Sequence, residues 1–127
     1  MTKDVIHSAD APAAIGPYSQ AIRHGDLLYC SGAIPLDPST GELIDGDAAA
    51  QAERCLKSLE AIASAAGGRL IDAVRCTVYL TDLGEFAAVN TAYAEYFLEP
   101  APARVTVQVA ALPKGAQVEI DAIIALG

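Results

Sequence analysis

Two helical segments are all this chain offers to cover strands that are apolar on both sides. Ala52, Leu56, Leu59, Ile62, Ala63 and Ala66 recur at three- and four-residue steps, giving one apolar stripe on a helix from about Asp47 to Ala66. Gly67-Gly68 ends it, because glycine reaches the left-handed C-cap conformation without a Cβ clash. A second helix follows Asp82, with Glu85 near capping-box spacing. Its expected buried face is Phe86, Val89, Tyr93 and Phe97, and Pro100 and Pro102 stop it.

The strands read around these helices. After an extended start, Asp4 to Ser8, a Pro/Ala/Gly-rich loop leads to a hairpin of Ser19–Arg23 and Leu27–Ile34 across His24-Gly25-Asp26. Ile71–Leu80, Arg104–Ala110 and Gln117–Leu126 complete the set. The last two alternate: Val105, Val107 and Val109 oppose Arg104, Thr106 and Gln108, while Val118, Ile120, Ala122 and Ile124 oppose Glu119, Asp121 and Ile123. The order β-β-α-β-α-β-β describes an α+β fold, a single mixed sheet with two helices packed on one face. Leu27, Tyr29, Ala33, Tyr79, Ile123 and Ala125 then fall on the other face. An uncovered face this apolar predicts a homo-oligomer with sheets packed together.

Composition removes several function classes. With 53% apolar and 19% charged residues, the chain is too hydrophobic for disorder, and 127 residues make one domain spanning 1–127. The net charge of −8 and the scattered basic residues leave no patch for nucleic acid or an anionic membrane. No secretory leader or membrane-spanning run is expected, so the predicted location is cytoplasmic. Cys30, Cys55 and Cys76 are unpatterned among apolar neighbours, which reads as reduced core thiols. His7 and His24 lie apart from other ligand types, so no metal site is expected.

Five places carry possible chemistry. Arg104 opens a strand whose alternate positions are valine, where a guanidinium fork can grip a carboxylate; a surface arginine, or one paired with Glu119 or Asp121, is the plainer reading. Glu119 lies between Val118 and Ile120, a costly place for a carboxylate unless it is paired or reaches a pocket; a solvent-facing or intersubunit ion-pair role is the alternative. Gly16-Pro17 delivers Tyr18 at a set angle, toward a ligand or over the core edge. Ser31 has no base near it in sequence, and Gly32 beside it permits close approach. Asn90 follows Val89 on the second helix, at its surface or at the boundary with the sheet.

These segments resemble the reactive-intermediate deaminase (RidA/YjgF) family, within it the RidA-like group. The carriers are Ala14-Ile15-Gly16-Pro17-Tyr18-Ser19-Gln20-Ala21, Ser31-Gly32-Ala33-Ile34-Pro35, Val89-Asn90-Thr91-Ala92-Tyr93, Pro102-Ala103-Arg104-Val105 and Gln108–Gly115 with Val118-Glu119-Ile120. The resemblance runs in register over essentially the whole chain. It implies a chorismate-mutase-like homotrimer with a site in each intersubunit cleft. The implied activity is hydrolysis of 2-aminoacrylate and 2-imino acids, products of pyridoxal-phosphate enzymes, to 2-keto acids and ammonia, without cofactor or metal. Carried over by position, Arg104 binds the substrate carboxylate and Glu119 orients water and moves protons. Tyr18, Ser31, Gly32, Asn90 and Thr106 line the pocket.

Three departures stand against the pattern. Thr106 occupies a position that is cysteine in some members, Ala101 precedes the Pro-Ala-Arg motif where an aromatic residue is common, and Glu119-Ile120-Asp121 shortens the second carboxylate. The competing reading is a non-catalytic sensor that binds a small carboxylate. A ribonuclease or translation inhibitor ranks lower: the sequence has no basic stripe, aromatic platform or histidine pair.

Overall fold

A computed structural model of the chain describes residues 2–127. Six strands form one mixed sheet: β1 (Asp4–Ile6), β2 (Ala21–His24), β3 (Leu27–Ala33), β4 (Ala73–Leu80), β5 (Ala103–Gln108) and β6 (Val118–Ala125). Their order across it is β1-β2-β3-β6-β4-β5. Only β4 and β5 pair in parallel, joined by α2 (Phe86–Ala94); every other pairing is antiparallel. The extended start is thus a true edge strand, paired Asp4 to Arg23 through Ile6 to Ala21.

The last strand in sequence, β6, sits between β3 and β4. Its alternation fits that place: Val118, Ile120, Ala122 and Ile124 are buried beneath the helices, while Glu119, Asp121, Ile123 and Ala125 are half-buried on the other face. Helix α1 (Ala48–Ala65) lies over it, burying Ala52, Cys55, Leu56, Leu59, Ile62 and Ala63. Asp47 caps α1, its Oδ1 accepting from the Ala50 N–H at 2.9 Å. Gly67, at φ +77°, closes the other end as the glycine pair predicts. The Gln51 side chain accepts from the Gln117 N–H at 2.8 Å, tying α1 to the start of β6.

The second helix differs from its expected form. Asp82 caps a separate 3-10 turn, Leu83–Glu85, with its Oδ1 accepting from Gly84 rather than from Glu85. The α-helix proper begins at Phe86 and ends at Ala94, so Phe97 is buried beyond its end. Phe86, expected on the buried face, is 40% exposed. A 3-10 turn at Leu70–Asp72 likewise delays β4 to Ala73.

The face opposite the helices carries Tyr29 at 43%, Val105 at 37% and Val107 at 36% exposure, with Tyr79 and Ile123 half-buried beside them. The valines of β5 therefore point away from the helices, and Arg104 and Thr106 point toward α2. That inversion of the usual inside-out pattern positions the site. No helix is long and apolar enough to cross a membrane among the described residues.

Candidate functional site

The first half of the site begins with a bulge. Cys30 pairs with Ala122 and Ala33 with Ile120, so Ser31 and Gly32 together stand opposite the single residue Asp121. An extra residue bends the strand and re-aims its side chains. Gly32 is brought against Glu119 so closely that a Cβ there would lie 2.8 Å from the Glu119 carboxyl carbon. A glycine interrupting an apolar strand is the signal for that approach.

Ser31, Gly32 and Glu119 line a cleft of about 340 Å³ with Ile15, Tyr18, Ile34 and Pro113. The loop carrying Ile15 and Tyr18 is pinned by Gln20, which is buried. Its amide oxygen accepts from the Ser8 N–H at 2.7 Å, and its nitrogen donates to the carbonyls of Ser8 and Pro12 at 3.1 and 2.8 Å.

Hydrogen bonding gives the cleft a defined polarity. The Tyr18 hydroxyl accepts from the Ile15 N–H at 3.2 Å, which leaves its own proton free for a ligand. The Ser31 hydroxyl donates to the Ser19 carbonyl at 2.6 Å, so toward a ligand it can only accept. Burial, and then the charge of Asp121, hold the Glu119 carboxyl above its ordinary range. Asp121 itself is engaged, accepting from the Thr77 N–H at 3.0 Å and the Tyr79 hydroxyl at 3.1 Å.

Arg104 lies elsewhere. It pairs with Cys76, a buried helix-facing residue, whereas Glu119 pairs with Tyr79 on the open face. Directly paired residues share a face, so Arg104 and Glu119 point away from each other through the sheet. Arg104 therefore makes no ion pair with Glu119 or Asp121. Its Nη1 donates to Asn90 Oδ1 at 2.8 Å, and its guanidinium carbon lies 4.8 Å from the Tyr93 ring centre and 5.6 Å from that of Phe86. Thr106 follows on the same face, its hydroxyl enclosed without a partner, beside a second hollow of about 290 Å³ that it lines with Leu83 and Phe86.

The predicted residues thus fall into two groups. Tyr18, Ser31, Gly32 and Glu119 meet in one cleft, and Asn90, Arg104 and Thr106 meet under α2. Phe86 and Tyr93, read from sequence as core, are the residues that reasoning missed. Their steps of four and three around Asn90 mark one stripe facing Arg104. The three cysteines are unbridged and buried; burial pushes the Cys30 thiol up to about 12, so it stays protonated at neutral pH.

Known proteins agree with this architecture. Residues 8–126 match the family model described as Endoribonuclease L-PSP. RutC family protein y4sK of Sinorhizobium fredii is 57% identical over 95% of this chain and 96% of its own. The 2-iminobutanoate/2-iminopropanoate deaminase of Homo sapiens is 46% identical over 97% of this chain and 90% of that protein. The crystal structure of RidA from the Antarctic bacterium Psychrobacter sp. PAMC 21119 superposes with a TM-score of 0.92 at 48% identity, covering 96% of this chain and 98% of the other. Matched over nearly its whole length in both sequence and fold, the chain belongs to the RidA/YjgF family.

Proposed function

We propose that this protein hydrolyses small 2-imino acids and their enamine tautomers, such as 2-aminoacrylate, to 2-keto acids and ammonia. The observation that carries the reading is Arg104. It is a half-buried cation with no carboxylate within 4 Å among the described residues, in a chain of 16 acidic residues. A guanidinium held by an amide and two rings keeps its fork for a ligand carboxylate. The deaminase named in Homo sapiens supports the substrate class.

Because Arg104 and Glu119 face opposite ways, this reading puts the complete site between two chains. The Tyr18–Ser31–Gly32–Glu119 cleft of one protomer meets the Asn90–Arg104–Thr106 face of the next. A homotrimer closes such head-to-tail contacts into a ring and covers the apolar open face.

In this reading Arg104 holds the carboxylate while Glu119 orients a water and takes its proton. The water oxygen bonds to the imine carbon, and the nitrogen gains a proton. Glu119 then passes the hydroxyl proton of the resulting carbinolamine to its amino nitrogen, the C–N bond breaks, ammonia leaves, and the carbonyl forms. Ser31 accepts from the substrate N–H, and Tyr18 donates to the oxygen that came from water. An imine carbon is already electrophilic, so positioning and fixed dipoles supply most of what the step needs. The Glu119 cleft is lined by no lysine, arginine or histidine, which leaves phosphate-gripping chemistry without a counterpart there.

The test generates 2-aminoacrylate in situ with a pyridoxal-phosphate dehydratase acting on serine. Adding this protein is expected to accelerate release of ammonia and keto acid, and Arg104→Lys is expected to lose most of that effect. A release rate unchanged by the wild-type protein would favour the carboxylate-binding sensor instead.

A further inference from the structure

Arg104 is held by three side chains from one stripe of α2, and none of them is an anion. Phe86, Asn90 and Tyr93 follow at steps of four and three, which brings all three over the head of β5. Asn90 takes one N–H of Nη1, and the rings of Tyr93 and Phe86 lie 4.8 and 5.6 Å from the guanidinium carbon. Both distances fall within the range of attraction between a cation and an aromatic face. A carboxylate in place of any of them would hold the arginine equally well while neutralising it.

Tyr93 is the better placed of the two rings. It is 7% exposed and packs against Phe97 with ring centres 4.6 Å apart, so it cannot turn away. Its hydroxyl is buried and makes no hydrogen bond to Arg104; it lies against the Cys76 thiol, so the group that distinguishes tyrosine from phenylalanine takes no part in holding the arginine. The π face is what remains.

We propose that Tyr93 is a positioning residue: its ring, with that of Phe86 as a weaker second contact, fixes the Arg104 guanidinium as an uncompensated cation ready for a ligand carboxylate. This rests on the reading of Arg104 as the carboxylate anchor.

The experiment measures binding of 2-oxobutanoate by calorimetry, together with the Arg104 Nε–H signal in 15N NMR spectra. Tyr93→Leu is expected to weaken binding roughly ten-fold, about 1.4 kcal/mol, and to broaden the Nε–H signal. Tyr93→Phe, which keeps the ring, is expected to restore both. Phe86→Leu, at a part-exposed position that does not threaten folding, is expected to show the same effects more weakly. Wild-type affinity and a sharp Nε–H signal in both leucine variants would overturn the proposal whatever the ammonia assay shows. Arg104→Ala binding as tightly as wild type would overturn it together with the carboxylate-anchor reading. A protein that binds 2-oxobutanoate through Arg104 yet releases no ammonia leaves Tyr93 in its role and removes only the deaminase reading.

Discussion

Arg104 and Glu119 stand on opposite faces of one sheet, separated by β4. Two groups assigned to the same reaction cannot meet inside a single chain with that geometry. Mixing inactive Arg104→Ala and Glu119→Gln proteins, with subunits allowed to exchange, is therefore expected to recover about a quarter of wild-type activity, since that share of sites draws both intact halves. The recovered rate against the mixing ratio checks this. No recovery after verified exchange would refute a site shared between two chains.

Asn90 holds Arg104 without neutralising it. Asn90→Asp keeps the shape and adds a charge, so the new carboxylate competes with that of the substrate. We expect kcat/KM to fall by roughly ten-fold or more, with thermal stability unchanged or raised, since a charge-assisted bond replaces a neutral one. Steady-state kinetics beside a melting curve read the two effects separately.

Glu119 is expected to carry the pH dependence. Its carboxyl ionises above the ordinary value of 4.5, chiefly because of burial. A carboxylate whose folded pKa is raised favours the fold below the unfolded value and loses that contribution as pH rises through the folded one. Glu119→Gln is thus expected to raise Tm at neutral pH, with the gain shrinking to nothing below about pH 4.5. Its activity should fall steeply, and the acid limb of the wild-type kcat/KM profile, lying above that of an ordinary glutamate, should disappear.

Gly32 faces Glu119 with no room for a methyl group: an added Cβ would sit 2.8 Å from its Cδ and 3.2 Å from its Cγ. Gly32→Ala is expected to swing the carboxylate into the cleft and lower kcat/KM about ten-fold or more, a displacement of the order that positioning effects amplify. The moving end is a flexible side chain beside open space, so the melting temperature should change little. A large Tm loss with normal kinetics would contradict this account.

Gln20 ties the loop bearing Tyr18 to the start of the chain through buried bonds to Ser8 and Pro12. Gln20→Leu strands those backbone groups and is expected to cost about 2–3 kcal/mol of stability. Denaturant melts measure the loss, and faster hydrogen exchange at Ser8 and Ile15 locates it.

Much of this architecture was legible in local chemistry. The stripe of α1, its Asp47 cap and its glycine stop are properties of consecutive residues, and so is the alternation of β6. The surplus of apolar strand faces over helices could be counted before any strand was placed. The candidate residues were legible as types: a lone arginine among valines, a glutamate in an apolar strand, a Ser-Gly step.

Their grouping was not. Nothing local to β6 places it between β3 and β4, because strand order is settled by which apolar faces the helices bury together. The bulge at Ser31-Gly32 and the turn of β5 that sends Arg104 under α2 and its valines outward depend on register, and a one-residue slip reverses every face. Phe86 and Tyr93 read as core from their spacing; only the packed helix reveals that what they pack against is a cation. Residue type and periodicity determined the elements of this protein and its candidate chemistry. Long-range pairing decided that the candidate residues are divided between the two faces of its sheet.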